Sequence, residues 1–168
     1  MIKVIIGTKG TGKTKRLIEM VNSSVDTENG HIGCLEYGDG LKYDISSQVR
    51  LINIKDYGIS GFDAFSGFIK GLLACNYDIS SVFVDGALKI TGNDLEKLGE
   101  TLADLEKVVE STTITVLDSA DAHSAPESVK KYIVKPKRTY NPPRTMFRAG
   151  LYIGLCKFQS VVIRLHSR

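Results

Sequence analysis

A glycine-rich stretch near the start of the chain restricts the possible folds more than any other feature. Residues 7–14 (GTKGTGKT) match the pattern G-x-x-x-x-G-K-[ST] of the phosphate-binding loop called Walker A. The apolar, β-branched run of residues 1–6 precedes the loop and is typical of a buried parallel strand. Residues 14–22 follow with apolar side chains at helical spacing. Strand, glycine loop and helix therefore come in the order that this motif requires.

The residue types of the loop suit a bound phosphate. Glycines allow positive φ angles, which turn backbone N–H groups inward, and the helix N-terminus adds a partial positive charge. We expect Lys13 to reach the β- and γ-phosphates and the Thr14 hydroxyl to ligate Mg²⁺. A glycine-rich turn between core elements is the alternative interpretation. The predicted nucleotide-binding residues are Gly7, Thr8, Lys9, Gly10, Thr11, Gly12, Lys13 and Thr14.

Related nucleotide-binding patterns are excluded by single positions. The dinucleotide pattern G-x-G-x-x-G begins at Gly10 but fails at Lys15. Lys9 lies one residue too close to Lys13 to match the K-G-G-x-G-K-T loop of the partitioning ATPases. The N-K-x-D and D-x-x-G motifs of GTPases are absent, so ATP is the predicted nucleotide.

A second landmark is the run SSVFVD, residues 80–85, in which a largely apolar strand ends in an acid. This is the Walker B pattern, and it predicts that Asp85 holds Mg²⁺ together with Thr14 at the carboxyl edge of the sheet. An aspartate that merely starts a turn with Gly86 is the alternative. Because Gly86 stands where many ATPases have a glutamate that orients water, we expect slow hydrolysis.

A further strand, residues 112–117, ends in Asp118 and Ser119. These residues resemble the sensor position, where a polar side chain contacts the γ-phosphate or water. The predicted catalytic residues are Lys13, Asp85 and Ser119.

Three other charged residues have two interpretations each. Glu36 could replace the missing glutamate, or it could be a surface charge on a hairpin. Arg16 and Arg50 could act in trans as arginine fingers in an oligomer, or they could be exposed salt-bridge partners.

The remaining segments indicate an α/β fold, with helices on both faces of a mainly parallel sheet and a small β-hairpin insertion. The hairpin is predicted from residues 30–37 and 41–45, which flank the turn signal Gly38-Asp39-Gly40. Residues 91–110 form a predicted surface helix capped by Asn93 or Asp94. The other predicted elements are a strand at 49–54, a helix at 61–76 and a short helix at 126–133.

The combination resembles the P-loop NTPase superfamily, and more narrowly small stand-alone ATP-binding proteins of Firmicutes bacteria. Some of these carry labels that link them to AAA-type or twitching-motility ATPases. They begin with a similar loop and have similar segments to Tyr43-Asp44-Ile45, Phe62-Asp63-Ala64-Phe65 and the run VDGALKI at residues 84–90. The resemblance covers residues 1–133 and implies the P-loop NTPase fold, with ATP and Mg²⁺ as cofactors.

Charge divides the chain in two. Residues 1–127 hold 12 Lys and Arg and all 19 Asp and Glu, whereas residues 128–168 hold 10 Lys and Arg and no acid. We therefore predict a nucleotide-binding domain at 1–133 and a basic C-terminal tail at 134–168, either disordered or forming added edge strands. The tail could bind nucleic acid or anionic lipid. A solvated charge run and a run-on sequence are the alternatives.

Composition limits location and partners. Cys34, Cys75 and Cys156 form no metal or redox spacing, and Cys34 and Cys75 lie in predicted core elements. Buried, reduced thiols favour a cytoplasmic protein. The chain enters a strand at once, which predicts no signal peptide, and no apolar run approaches the ~20 residues that span a bilayer.

Two classes of function follow from the sequence. The first is an Mg-ATP-binding protein that is a slow ATPase or an ATP-dependent switch, with nucleic acid as a further partner if the tail binds it. The second is a nucleotide-binding or interaction module without turnover. A small-molecule kinase would need an acceptor motif, and none is found. A protein partner or self-association is compatible with either class and is not specified by any motif.

Overall fold

The computed structural model describes residues 1–134. The strands are β1 (Ile2–Gly7), β2 (His31–Glu36), β3 (Arg50–Asn53), β4 (Ile79–Asp85) and β5 (Thr113–Ser119). The helices are α1 (Lys13–Thr27), α2 (Phe62–Cys75), α3 (Ala87–Thr91), α4 (Leu95–Glu106) and α5 (Glu127–Lys130), with a 3₁₀ turn at Ile54–Tyr57.

The strands form one five-stranded sheet in the order β1-β5-β4-β2-β3, and every neighbouring pair is parallel. Helix α1 covers one face, where Leu17 and Val21 pack on Cys34 and Phe83. The other helices cover the opposite face, with Phe65 of α2 in the larger core cluster. The α/β prediction with helices on both faces is confirmed, and the architecture is consistent with a P-loop NTPase-like fold.

The predicted hairpin is wrong. Strand β2 pairs with β4 on one side and with β3 on the other, so it has no free edge for residues 41–45. Those residues form turns instead, in which the N–H groups of Asp44 and Ile45 both donate to the Leu41 carbonyl. Leu41 itself is buried in the core cluster beneath α1. The apolar residues of this segment therefore serve packing and do not form a strand.

The helix predicted at 91–110 is shorter in the structure, because α4 runs only from Leu95 to Glu106, and the separate short helix α3 precedes it. Gly92 and Asn93 both have positive φ angles, of 89° and 66°, and this break separates α3 from α4. The predicted N-cap is confirmed, because the Asp94 side chain accepts hydrogen bonds from the N–H groups of Glu96 and Lys97. Helix α3 has no counterpart in the sequence analysis.

The last described residues add to the free edge of β1. The Val4 N–H donates to the Tyr132 carbonyl at 2.8 Å, and the Val134 N–H donates to the Val4 carbonyl at 2.9 Å. These two hydrogen bonds form a parallel bridge between Val4 and Ile133. Helix α5 stops at Lys130, so it is shorter than the helix predicted at 126–133.

The basic tail predicted at 134–168, with the alternatives given for it, lies outside the described residues except for Val134, and so does Cys156. The domain boundary at 133 stays a prediction. Within residues 1–134, no helix is both long and apolar enough to cross a membrane. The expectation of two buried thiols is half right. Cys34 is buried, but Cys75 is exposed because it stands at the end of α2.

Candidate functional site

The loop between β1 and α1 takes the backbone shape that its glycines allow. Gly10 and Gly12 have φ angles of 89° and 77°, which side chains rarely adopt. Gly7 is needed for space, since a Cβ atom there would lie 3.0 Å from the Thr11 hydroxyl oxygen. Each glycine that the motif fixes therefore has a local structural reason.

The Thr8 carbonyl organises the loop. It accepts a hydrogen bond from the Thr11 hydroxyl at 2.8 Å and a second from the Lys13 ammonium at 2.8 Å. The Thr11 N–H also donates to it, at 3.4 Å. The Lys13 side chain is thereby folded back over the loop, with its ammonium held at the Thr8 carbonyl.

The N-terminus of α1 has free donors. Gly12 caps the helix without a side-chain hydrogen bond, and its first turn holds no acidic residue. Helix α4 differs, because Asp94 accepts two N–H groups at its start. The first N–H groups of an uncapped helix are open to an anion, and the helix dipole favours one there.

The parallel register brings the predicted residues to one edge of the sheet. Gly7 of β1 is level with Ser119 of β5, and Asp85 of β4 is level with Leu117. Together with the loop they enclose a space of about 540 Å³, which we call the loop cleft. It is lined by Lys9, Gly10, Gly12, Lys13, Thr14, Asp85, Gly86, Leu88, Lys89, Asn93, Leu117, Asp118 and Ser119.

This cleft brings together the predicted catalytic residues Lys13, Asp85 and Ser119 and both predicted metal ligands, Thr14 and Asp85. The remaining predicted loop residues, Gly7, Thr8 and Thr11, shape the loop without lining the cleft. Assignment of roles to these residues stays a prediction.

Asp85 and Thr14 fit a magnesium ion in donor chemistry. Both offer oxygen, and Mg²⁺ keeps waters and phosphate oxygens around one or two protein ligands. Within residues 1–134, no group of three or more His, Cys, Asp or Glu side chains could form an all-protein cage. Burial raises the pKa of Asp85, while the charges of Lys89 and Lys13 lower it. A cation beside this carboxylate would favour its ionised form.

Gly86 has a conformational reason to be glycine. Its φ angle is 73°, and a Cβ atom there would lie 3.1 Å from the Lys89 side chain. A side chain at the position that carries a glutamate in many ATPases would therefore be strained in this backbone. Its N–H donates to the Leu117 carbonyl at 2.9 Å, which ties the turn to β5.

Asp118, which the sequence placed only in a resemblance to the sensor position, is a buried carboxyl group in the structure. The side chain is 3% exposed, and its Oδ1 accepts the Leu88 N–H at 3.1 Å. Its Oδ2 is buried and has no hydrogen-bond partner among the residues that the structure describes. Burial raises the pKa of Asp118 to about 7, against the hydrogen bond from Leu88. Its only sequence signal was an acid directly after an apolar strand.

Glu36 is not the surface charge that the hairpin interpretation predicted. It is 4% exposed and stands level with Asp85, at the end of β2. Burial raises its pKa, while the N–H groups of Leu41 and Gly40 lower it by hydrogen bonding. Nearby, burial raises the pKa of the Cys34 thiol to about 12, with contributions from the charges of Glu36 and Asp85, so that thiol stays protonated.

The candidate arginines lie apart from the loop cleft. Neither Arg16 nor Arg50 lines it, and the ion pairs found within residues 1–134 involve neither of them. The salt-bridge interpretation is therefore not supported for either side chain, and the role in trans stays a prediction.

Comparisons with known proteins add a likeness in fold. No protein-family model matches the chain, and no curated protein matches it. Among solved structures, the chain is similar to the crystal structure of domain III of the Thermotoga maritima replication initiation protein DnaA, with a TM-score of 0.42 and 14% identity. That match covers 80% of this chain and 55% of the other, so the chain spans about half of that structure's length. A likeness at this level carries no information about function, which has to be inferred from the loop cleft.

Proposed function

We propose that the protein binds Mg-ATP in the loop cleft and acts as a slow ATPase or an ATP-dependent switch. The observation that carries this proposal is the meeting of an uncapped helix N-terminus, Lys13 and Asp85 in one cleft of about 540 Å³.

Phosphate recognition rests on donors that have few protein partners. The first N–H groups of α1 and the ammonium of Lys13 converge on the cleft, and Lys9 lines it as well. Among residues 1–134, the hydrogen-bond acceptors of Lys13 are the Thr8 carbonyl and, at 3.4 Å, the Thr11 hydroxyl. A phosphate oxygen offers the ammonium a stronger, charge-assisted bond than either of these neutral acceptors.

Different residues are proposed to hold the metal ion and to contact the terminal phosphate. Thr14 and Asp85 would hold Mg²⁺, which when bound neutralises charge on the β- and γ-phosphates. Ser119 faces the cleft at the level of Gly7, where its hydroxyl could contact a terminal phosphate. The expectation of slow turnover rests on Gly86, because no carboxylate directly follows Asp85.

The test compares Lys13→Ala with Lys15→Ala by calorimetry with ATP, with and without Mg²⁺. Both changes remove one positive charge from the start of α1, but Lys15 does not line the cleft. We expect Lys13→Ala to weaken binding at least about tenfold, because a hydrogen bond to a charged group contributes about 1.5–3 kcal/mol. Lys15→Ala should bind within about twofold of the original protein, since only screened surface charge is lost.

Equal ATP affinity for the original protein and Lys13→Ala would overturn the site. The non-catalytic alternative is favoured by the same Gly86 observation, and it is separated by measuring phosphate release on the same samples. Binding without any release under single-turnover conditions would establish the module, and release at a rate below the ordinary ~1–10³ s⁻¹ would establish the slow ATPase.

A further inference from the structure

Glu36 and Asp85 stand side by side at the carboxyl edge of the sheet. They are register partners on the adjacent parallel strands β2 and β4, which run about 4.8 Å apart. Two residues earlier on each strand, Cys34 and Phe83 pack in the cluster beneath α1. Because side chains alternate along a strand, Glu36 and Asp85 share the face that carries α1 and the loop.

The carboxylate of Glu36 is fixed on one side only. Its Oε2 accepts the Leu41 N–H at 3.0 Å, and the Gly40 N–H also contributes. Within residues 1–134, no hydrogen bond reaches its Oε1. The Glu36 side chain is 4% exposed, and within residues 1–134 Oε1 is the oxygen that is left for solvent or a ligand.

Water has access to that oxygen. Glu36 forms part of the wall of a second space, of about 560 Å³, at the ends of β2 and β3. We call it the side cleft; its other walls include Lys42, Ser46, Arg50 and Asn53. Glu36 therefore stands on the boundary between the side cleft and Asp85, which lines the loop cleft.

We propose that Glu36 is the carboxylate that orients and deprotonates the attacking water when ATP is hydrolysed, in place of a glutamate directly after Asp85. The inference rests on the proposed function. The water oxygen forms a bond to the γ-phosphorus as the bond from that phosphorus to the β–γ bridging oxygen breaks. ADP leaves, the water proton passes to Glu36, and the proton is then released to solvent with inorganic phosphate as the other product.

The backbone cap gives this role a physical basis. The N–H groups of Leu41 and Gly40 hold the carboxylate, with the Leu41 N–H on Oε2, and this fixes the orientation of the side chain. The segment that supplies them, Gly38 to Leu41, is the turn that the sequence suggested for a hairpin. Glu36 is then placed by β2 and held by the connection that follows it.

The experiment measures single-turnover phosphate release with Mg-ATP for the original protein, Glu36→Gln and Asp44→Asn. Glutamine keeps the size of the side chain and an oxygen that can accept the Leu41 N–H, but it cannot take a proton. Asp44→Asn is the matched control, because it removes one negative charge from an exposed side chain of the same connection.

We expect Glu36→Gln to lower the rate about 10²- to 10⁴-fold, as loss of a general base does. ATP affinity by calorimetry should stay within about threefold, because a residue that acts on water contributes to catalysis rather than to nucleotide binding. Asp44→Asn should match the original protein in both. A purely structural Glu36 would instead lower the denaturation midpoint and leave the rate per bound nucleotide unchanged.

Unchanged release by Glu36→Gln, or no release by the original protein despite binding, would overturn this inference while leaving nucleotide binding intact. Absence of ATP binding by the original protein would overturn the proposed function itself.

Discussion

The two ends of the strands in the parallel sheet differ in how far their polar side chains are hydrogen-bonded. At the amino edge, where the strands begin, Glu28 accepts hydrogen bonds from the hydroxyl groups of both Ser80 and Ser81. The Thr112 hydroxyl donates a hydrogen bond to the Ile79 carbonyl at 2.8 Å. At the carboxyl edge, one oxygen of Asp118 is buried without a hydrogen-bond partner in the described part of the chain. Polar groups are thus satisfied at one end of the strands and left incomplete at the other.

The difference indicates how stability and chemistry are divided along the same strands. Burial raises the pKa of Asp85, Glu36 and Asp118, so the ionised carboxyl edge lowers stability until a ligand supplies donors or positive charge. The amino edge holds neighbouring strands in place with hydrogen bonds that need no ligand. The following predictions test this division from either edge.

The largest effect is expected from Asp118→Asn. In the folded protein the pKa of Asp118 is about 7, against an ordinary value of 3.8, so between these values the folded chain binds a proton that the unfolded chain lacks. The stability this gives is complete below pH 3.8 and is lost as pH rises through about 7. From pH 5 to pH 8 the original protein should lose about 3 kcal/mol more than the variant, at about 1.36 kcal/mol per pH unit.

Urea denaturation of both proteins at the two pH values, without nucleotide or Mg²⁺, measures this difference. Asparagine keeps an oxygen for the Leu88 N–H, so the variant should fold. Identical pH dependence would show that Asp118 is not the strained group at the carboxyl edge.

A smaller effect is expected from Gly30→Ala at the amino edge. A Cβ atom there would lie 2.5 Å from the Asp78 carbonyl oxygen and 2.7 Å from the Ser80 Cβ. Because backbone must move to make room, the free energy of unfolding should fall by about 1–3 kcal/mol. ATP affinity of the folded protein should change by less than about threefold, since the loop cleft lies at the opposite edge.

Gly71→Ala is the control for that substitution. Gly71 lies inside α2 with nothing within 4 Å of the added atom, so alanine should raise stability by roughly 0.5–1 kcal/mol. Equal effects of the two alanines on urea denaturation would show that the amino edge is not closely packed at Gly30.

The smallest effect is expected from Ser81→Ala, which removes the 2.8 Å hydrogen bond to the Glu28 Oε1. A loss of about 1 kcal/mol in the free energy of unfolding is typical of a single bond of this kind. Ser23→Ala, which removes an exposed bond within α1, should change stability by less than about 0.5 kcal/mol. If urea denaturation gave equal free energies of unfolding for the two variants, the hydrogen bond between Ser81 and Glu28 would not stabilise β4.

The parts of the site that could be predicted are those with local causes. The loop needs glycine at positive φ and a lysine at one spacing, and both are written in consecutive residues. Asp85 was predictable because an apolar strand that ends in an acid places it at the carboxyl edge. The confirmed helix start at Asp94 has the same local character.

The parts that could not be predicted depend on distant neighbours. The turn Gly38-Asp39-Gly40 suggested a hairpin, but β3 pairs with the edge of β2 that the hairpin strand would have used. The turn instead brings the N–H groups of Gly40 and Leu41 to Glu36. Helix α3 was missed because Ala87, Leu88, Ile90 and Thr91 are all buried, which leaves no polar face to give a period.

The pairing of β1 also determines the order in which the protein can form during synthesis. Strand β1 is translated before the other four strands, yet its partners are β5 and the bridge at Ile133, which follow those strands in the sequence. Until about residue 119 has been translated, β1 has no strand to pair with, and the turn of Gly10 and Gly12 has no cleft to face. Such contacts between distant parts of a chain form slowly. In a nascent chain, the loop of residues 7–14 would therefore reach its final surroundings only after β5 has been translated.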